Sequence, residues 1–178
     1  MITRIHLMLN LIAIAVLLTI LVLILDGCEN PFAPRLSKDG SNTSLLSSQE
    51  TIEGVFTNFR YAYTLKDTLV YGNLLEPDFV FIFRNYEKGI DESWGREQEL
   101  ITTYRLFQAA QSLELVWNEI FVDVGDTLVR DVSRSFNLTI VFNPADIVRL
   151  NGIANFRLRK NQIDRKWRIL SWRDESNY

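Results

Sequence analysis

The chemistry open to this chain is narrowed first by what it lacks. Its only histidine is His6 and its only cysteine is Cys28. Downstream of residue 28 there is no imidazole and no thiol. A Ser-His-Asp triad, a Cys-His pair and a Cys/His zinc site are therefore excluded there. No glycine-rich phosphate loop, no GxGxxG and no EF-hand acidic spacing is present, so no cofactor and no metal is expected, with a carboxylate-only calcium site the one alternative left open. Acid–base work would have to run on Asp, Glu, Tyr, Lys or Arg. The candidate ligand-binding residues are Tyr63, Asp78, Trp94, Trp117, Asn137 and Trp172. No catalytic residue is assigned.

Each candidate has a structural alternative. Tyr63 belongs to an apolar helical stripe and could simply be core. Asp78 follows Pro77 at the start of a strand, where it could line a pocket or close a turn. Trp94 lies in a polar segment flanked by glycines and could contact a ligand or plug the core. Trp117 alternates with Leu113 and Leu115, which favours the core. Asn137 shares the polar face of the longest strand with Asp131, and that face is expected to turn outward. Arg157 and Trp172, on neighbouring strands, could form a cation–π pair.

The elements that must position these residues follow from periodicity. Ser47 and Glu50 stand at capping-box spacing before a helix. Ile52, Val55, Phe56, Phe59, Ala62 and Tyr63 form its stripe. Asp67 caps a short second helix, which Pro77 stops. Phe79–Phe83 reads as a strand, 85–95 as a loop or small hairpin, and Leu100, Ile101, Tyr104 and Phe107 mark a third helix running to about Ala110. Four strands follow: Leu113–Asp123, Leu128–Phe142, Gly152–Lys160 and Trp167–Arg173, separated by Gly125-Asp126, Asn143-Pro144 and 161–166. On the longest strand, Leu128, Arg130, Val132, Arg134, Phe136, Leu138, Ile140 and Phe142 share one face. Consecutive strands with short turns pair antiparallel, and helices segregated to one face define an α+β fold.

The N-terminus carries a separate signal. Arg4 precedes an apolar run, Leu11–Leu25, that ends in Leu25-Asp26-Gly27-Cys28. These four residues resemble the bacterial lipoprotein signal box. Leu25 and Gly27 fit it and Asp26 departs from it. The resemblance implies cleavage before Cys28 and lipidation of that cysteine. The alternative is an uncleaved anchor, since Ile5–Leu25 spans about 21 residues. Either way the remainder is expected outside the cytoplasmic membrane, in the cell envelope, with the leaflet undetermined. The expected organisation is a signal peptide over 1–27, a flexible tether over 28–46 and one domain over 47–178. Pro31, Pro34, Gly40 and several serines mark the tether, with Leu45 and Leu46 beginning to dock.

The order of elements over 48–175 resembles the nuclear-transport-factor-2-like superfamily, which includes ketosteroid isomerases and SnoaL-like polyketide cyclases. Its carriers are the first helix through Tyr61-Ala62-Tyr63, the approach Glu76-Pro77-Asp78-Phe79-Val80-Phe81, and the closing Trp167–Trp172 strand. The resemblance implies a curved antiparallel sheet wrapped around N-terminal helices, a cone-shaped, cystatin-like roll. It also implies a pocket at the open end and a homodimer through the outer sheet face. Members include enzymes, binding modules and structural parts, so the fold carries no reaction. The leading expectation is a non-catalytic, membrane-tethered envelope domain that binds a small apolar ligand or a protein partner. An Asp/Tyr-dependent isomerase, dehydratase or hydrolase is the alternative, and a structural subunit of an envelope complex is a third. With 19 basic against 22 acidic residues and no basic block, nucleic acid is not an expected partner.

Overall fold

The computed structural model describes residues 45–177. The lipoprotein box, Cys28 and nearly all of the proposed tether lie outside them. Among the described residues no helix is long and apolar enough to cross a membrane.

Helix α1 spans Ile52–Leu65. Its cap is Thr51, not the expected Ser47/Glu50 box: the Thr51 Oγ1 accepts from the Gly54 N–H at 3.1 Å. Ser47 is used differently. Its N–H donates to Asn58 Oδ1 at 2.7 Å, and the Asn58 amide returns to the Ser47 carbonyl at 3.1 Å. Gln49, in the left-handed region at φ 67°, is buried and donates to the Trp167 carbonyl at 2.8 Å. This clasp satisfies buried amides that would otherwise be costly. Leu45, by contrast, is exposed, whereas Leu46 is half-buried.

The helix buries Val55, Phe56, Phe59, Ala62 and Tyr63. It stops at Lys66, whose φ of 57° directs its N–H back to the last carbonyls. Helix α2, Thr68–Leu74, starts on Asp67, whose Oδ1 accepts from the N–H groups of Leu69 and Val70. It ends three residues before Pro77. Strand β1 already runs from Leu75 to Asn85 and carries Pro77 at an irregularity in its pairing.

The expected hairpin is realised as β2, Ile90–Gly95, paired antiparallel to β1 around Gly89 at φ 67°. Helix α3 is Arg96–Ala109. Strands β3 (Ser112–Gly125), β4 (Val129–Asn143), β5 (Asp146–Lys160) and β6 (Trp167–Asn177) follow. Strand β5 starts six residues before the expected Gly152. Asn143 Oδ1 accepts from the Ala145 N–H, which tightens the Asn143-Pro144 turn and lets pairing resume at once. Between β3 and β4, Gly125 at φ 136° approaches the Val129 carbonyl too closely for any side chain.

The six strands form one curved sheet in the order β2-β1-β6-β5-β4-β3. All neighbours are antiparallel except β1 and β6, which run parallel. The concave face holds the core. On β4 it presents Val132, Phe136, Leu138 and Ile140, as the alternation predicts. Phe56 stacks on Phe156 at 5.4 Å, and Trp117 donates its Nε1–H to the Phe56 carbonyl at 3.1 Å. These contacts seat α1 on the sheet.

Candidate ligand cavity

Register decides what the concave face displays. Trp94 on β2 pairs with Phe81 on β1, Phe81 with Trp172 on β6, and Trp172 with Phe156 on β5. Four aromatic residues thus form one row across four neighbouring strands. Phe81 and Trp94 stack at 4.6 Å, and Trp172 meets Phe81 edge-on at 5.0 Å. Edge-to-face and stacked pairs of this kind add about 0.5–1.5 kcal/mol each beyond area burial.

Beside this row lies a cavity of about 600 Å³, lined by residues of α1, α3 and all six strands. Phe59 and Tyr63 of α1 form its floor. Phe81, Phe83 and Trp94 form one wall, and Trp117, Phe136 and Leu138 the opposite one. Trp172 lies between them. Its polar lining includes Glu99, Thr102 and Thr103 of α3, Asp174 of β6, and Arg84 and Glu87 near the hairpin turn.

Glu99 organises the interior. It is buried, and its Oε1 accepts from the Tyr71 hydroxyl at 2.6 Å and from the Thr103 hydroxyl at 3.0 Å. Its Oε2 accepts from Trp94 Nε1–H at 2.7 Å. Three donors on two oxygens make Glu99 an acceptor held in place by its own surroundings. Burial pushes the Tyr63 hydroxyl well above the usual tyrosine range, and Glu99 and, less, Asp174 add to it. Burial raises Tyr71 in the same direction, helped by Tyr63 and Glu99. Both phenols are neutral at physiological pH. Among the described residues, no three His, Cys, Asp or Glu side chains gather as metal ligands.

Of the sequence candidates, Tyr63, Trp94, Trp117 and Trp172 meet at this cavity. Asp78 and Asn137 lie away from it. Asp78 is exposed and pairs with Arg159, Nη2 to Oδ1 at 2.6 Å, which holds its carboxyl below the usual range. It alternates with buried Phe79, so the pleat turns it outward. Asn137 is flanked by buried Phe136 and Leu138 and is exposed for the same reason. The proposed Arg157–Trp172 pair does not form. Arg157 sits on the outer face near Asp131 at 3.6 Å, and the cation–π contacts among the described residues are Arg134 over Phe56 and Lys160 over Trp167.

Glu99, Thr103 and Asp174 were not legible as site residues. One signal existed: Glu99, Thr103 and Phe107 repeat at a spacing of four, placing an acid in a buried helical stripe.

No protein-family model matches the sequence, and no curated protein matches it in sequence. Solved structures match in shape. A conserved protein from Planctomyces limnophilus superposes with a TM-score of 0.62 at 16% identity, covering 71% of this chain and 93% of its own. A protein provisionally named a scytalone dehydratase, from Novosphingobium aromaticivorans, gives a TM-score of 0.62 at 12% identity, covering 71% and 82%. A provisionally named dehydratase of the nuclear-transport-factor-2-like family, from Streptomyces avermitilis, gives 0.57 at 16% identity, covering 73% and 96%. At such identities the likeness speaks for architecture alone. Element order, sheet topology and these superpositions together give an α+β domain with the nuclear-transport-factor-2-like fold.

Proposed function

We propose that this domain binds a small apolar ligand inside its cone and does so without transforming it. The observation that carries this reading is the cavity of about 600 Å³ bordered by nine aromatic side chains. That volume suits a drug-sized molecule, and a mainly apolar lining with a few fixed polar groups is the usual build of a small-molecule site. Glu99 already accepts three hydrogen bonds, which favours a positioning role over proton abstraction. The domain would stand off the membrane on a lipid attached to Cys28. The sequence pattern of residues 1–28 supports that part.

A second reading is an Asp/Tyr-dependent isomerase, dehydratase or hydrolase. Asp174 and the neutral Tyr63 hydroxyl border the same cavity, which is the residue chemistry such a reaction needs. The provisionally named dehydratases of like fold support it loosely.

The test is a titration of the full chain in lipid nanodiscs with 2-naphthol, read by quenching of tryptophan fluorescence. Trp94, Trp117 and Trp172 border the cavity, so saturable quenching is expected, and Leu106→Trp should weaken it at least about tenfold by filling the space. Linear quenching identical in the variant would sink the binding reading. Native mass spectrometry of the same preparation should show a co-purifying mass of a few hundred daltons. Recovery of a chemically altered ligand after incubation would move the weight to the enzyme. For the tether, Cys28→Ser should abolish acylation and membrane retention; a variant held in the membrane at full precursor mass would establish the plain anchor instead.

A further inference from the structure

We infer that the ligand of this cavity is an organic cation, a substituted amine or quaternary ammonium carrying an apolar body. The inference rests on the binding reading above and deepens it. The cavity is not merely apolar. Three acidic side chains border it, Glu87, Glu99 and Asp174, against a single cation, Arg84. Arg84 is engaged elsewhere: its Nη1 lies 3.1 Å from Asp91 Oδ1. Acids thus outnumber cations three to one in the lining.

The aromatic rings point to the same class. A quaternary ammonium is held by ring faces, and tryptophan is the strongest partner. Trp94 and Trp172 flank Phe81 in adjacent strands, so indole and phenyl surfaces converge on one volume. The Trp94 indole also donates its Nε1–H to Glu99 at 2.7 Å. A hydrogen bond to an acidic group pushes electron density into the indole, which strengthens its attraction for a cation. The acid and the ring thus act in one direction. An anionic ligand would face three lining acids and one lining cation, Arg84, that already pairs with Asp91.

The test compares three probes of matched shape in the same nanodisc titration, with protein-free nanodiscs subtracted for partitioning. They are (4-hydroxyphenyl)trimethylammonium, its uncharged isostere 4-tert-butylphenol, and 4-tert-butylbenzoate. The cation should bind at least about tenfold more tightly than the isostere, the size of a desolvated cation–π contact. Asp174→Asn should reduce that preference towards parity without abolishing binding of the neutral probe. Equal or tighter binding of 4-tert-butylphenol by the unaltered chain would overturn the cation inference and leave the apolar-ligand reading standing. Preference for the benzoate would overturn it likewise. Saturable binding by none of the three would sink both. The comparison on the unaltered chain decides the matter even if the variant fails to fold.

Discussion

Phe156 and Trp94 stand in the same row of the sheet, yet one is sealed on every side and the other borders open volume. The difference lies in what covers them. Phe156 on β5 is roofed by α1 through the stacked Phe56, with Phe59, Trp117 and Trp172 packed around it. Trp94 on β2 is faced by α3, whose buried stripe there is Glu99 and Thr103, too short and too polar to fill the space. The sheet therefore has a packed end over β5 and an open end over β2. The packed end supplies stability, and the open end is free to supply binding.

The sharpest way to break this contrast is truncation at the packed end. Phe156→Ala should cost about 3–5 kcal/mol in urea unfolding, because the surrounding rings cannot collapse into the gap. Phe83→Ala at the cavity, already half-buried, should cost clearly less. Equal losses would mean the open end is as much a part of the core as the packed one.

The next effect concerns the polar interior. Glu99→Leu removes the acceptor from Tyr71, Thr103 and Trp94, and should destabilise by about 2–4 kcal/mol, since each stranded buried donor costs about 1–3. Glu99→Gln keeps an acceptor oxygen and should recover most of that loss. If the leucine variant unfolds at the same denaturant concentration, the network is ornamental to the fold.

A pH series sharpens the same point. Tyr63 and Tyr71 ionise less readily when folded than when unfolded, because burial opposes the phenolate. Above about pH 10 the unfolded chain binds fewer protons than the folded one, so stability is fully present below that pH and falls as pH rises beyond it. Phenolate absorbance should show these two tyrosines silent until the domain unfolds. Their titration near pH 10 in the folded state would contradict the burial described for them.

Filling the cavity separates binding from stability. Leu106→Trp should lower ligand affinity at least about tenfold while changing stability by less than about 1 kcal/mol, since the added volume enters empty space. A large stability loss would show that the space is not available. The smallest effect belongs to the surface. Asp78→Asn breaks the exposed pair with Arg159 and should change stability by less than about 1 kcal/mol. What that pair contributes is present above the ordinary carboxylate range and is lost as pH falls below it, because Arg159 lowers the Asp78 pKa.

Amino-acid order by itself determined the helices, most strands and the inward face of each. The α1 stripe, the Asp67 cap and the alternation through Val132, Phe136 and Leu138 are local patterns, and local patterns survive in one dimension. The absence of histidine and cysteine beyond residue 28 was equally plain, and it fixed the menu of chemistry. Tertiary structure decided the rest. The row Trp94–Phe81–Trp172–Phe156 joins residues up to 91 positions apart in β1, β2, β5 and β6, and it exists only once register is set. Pairing of β1 with β6 in parallel brings Asp174 to the mouth that Glu87 also borders. Glu99 looked like one more helical acid until α2 and β2 placed Tyr71 and Trp94 against its two oxygens. Helix and strand periodicity depend on neighbours three, four or two residues away. A cavity depends on which distant surfaces fail to meet, and no short window of sequence records that.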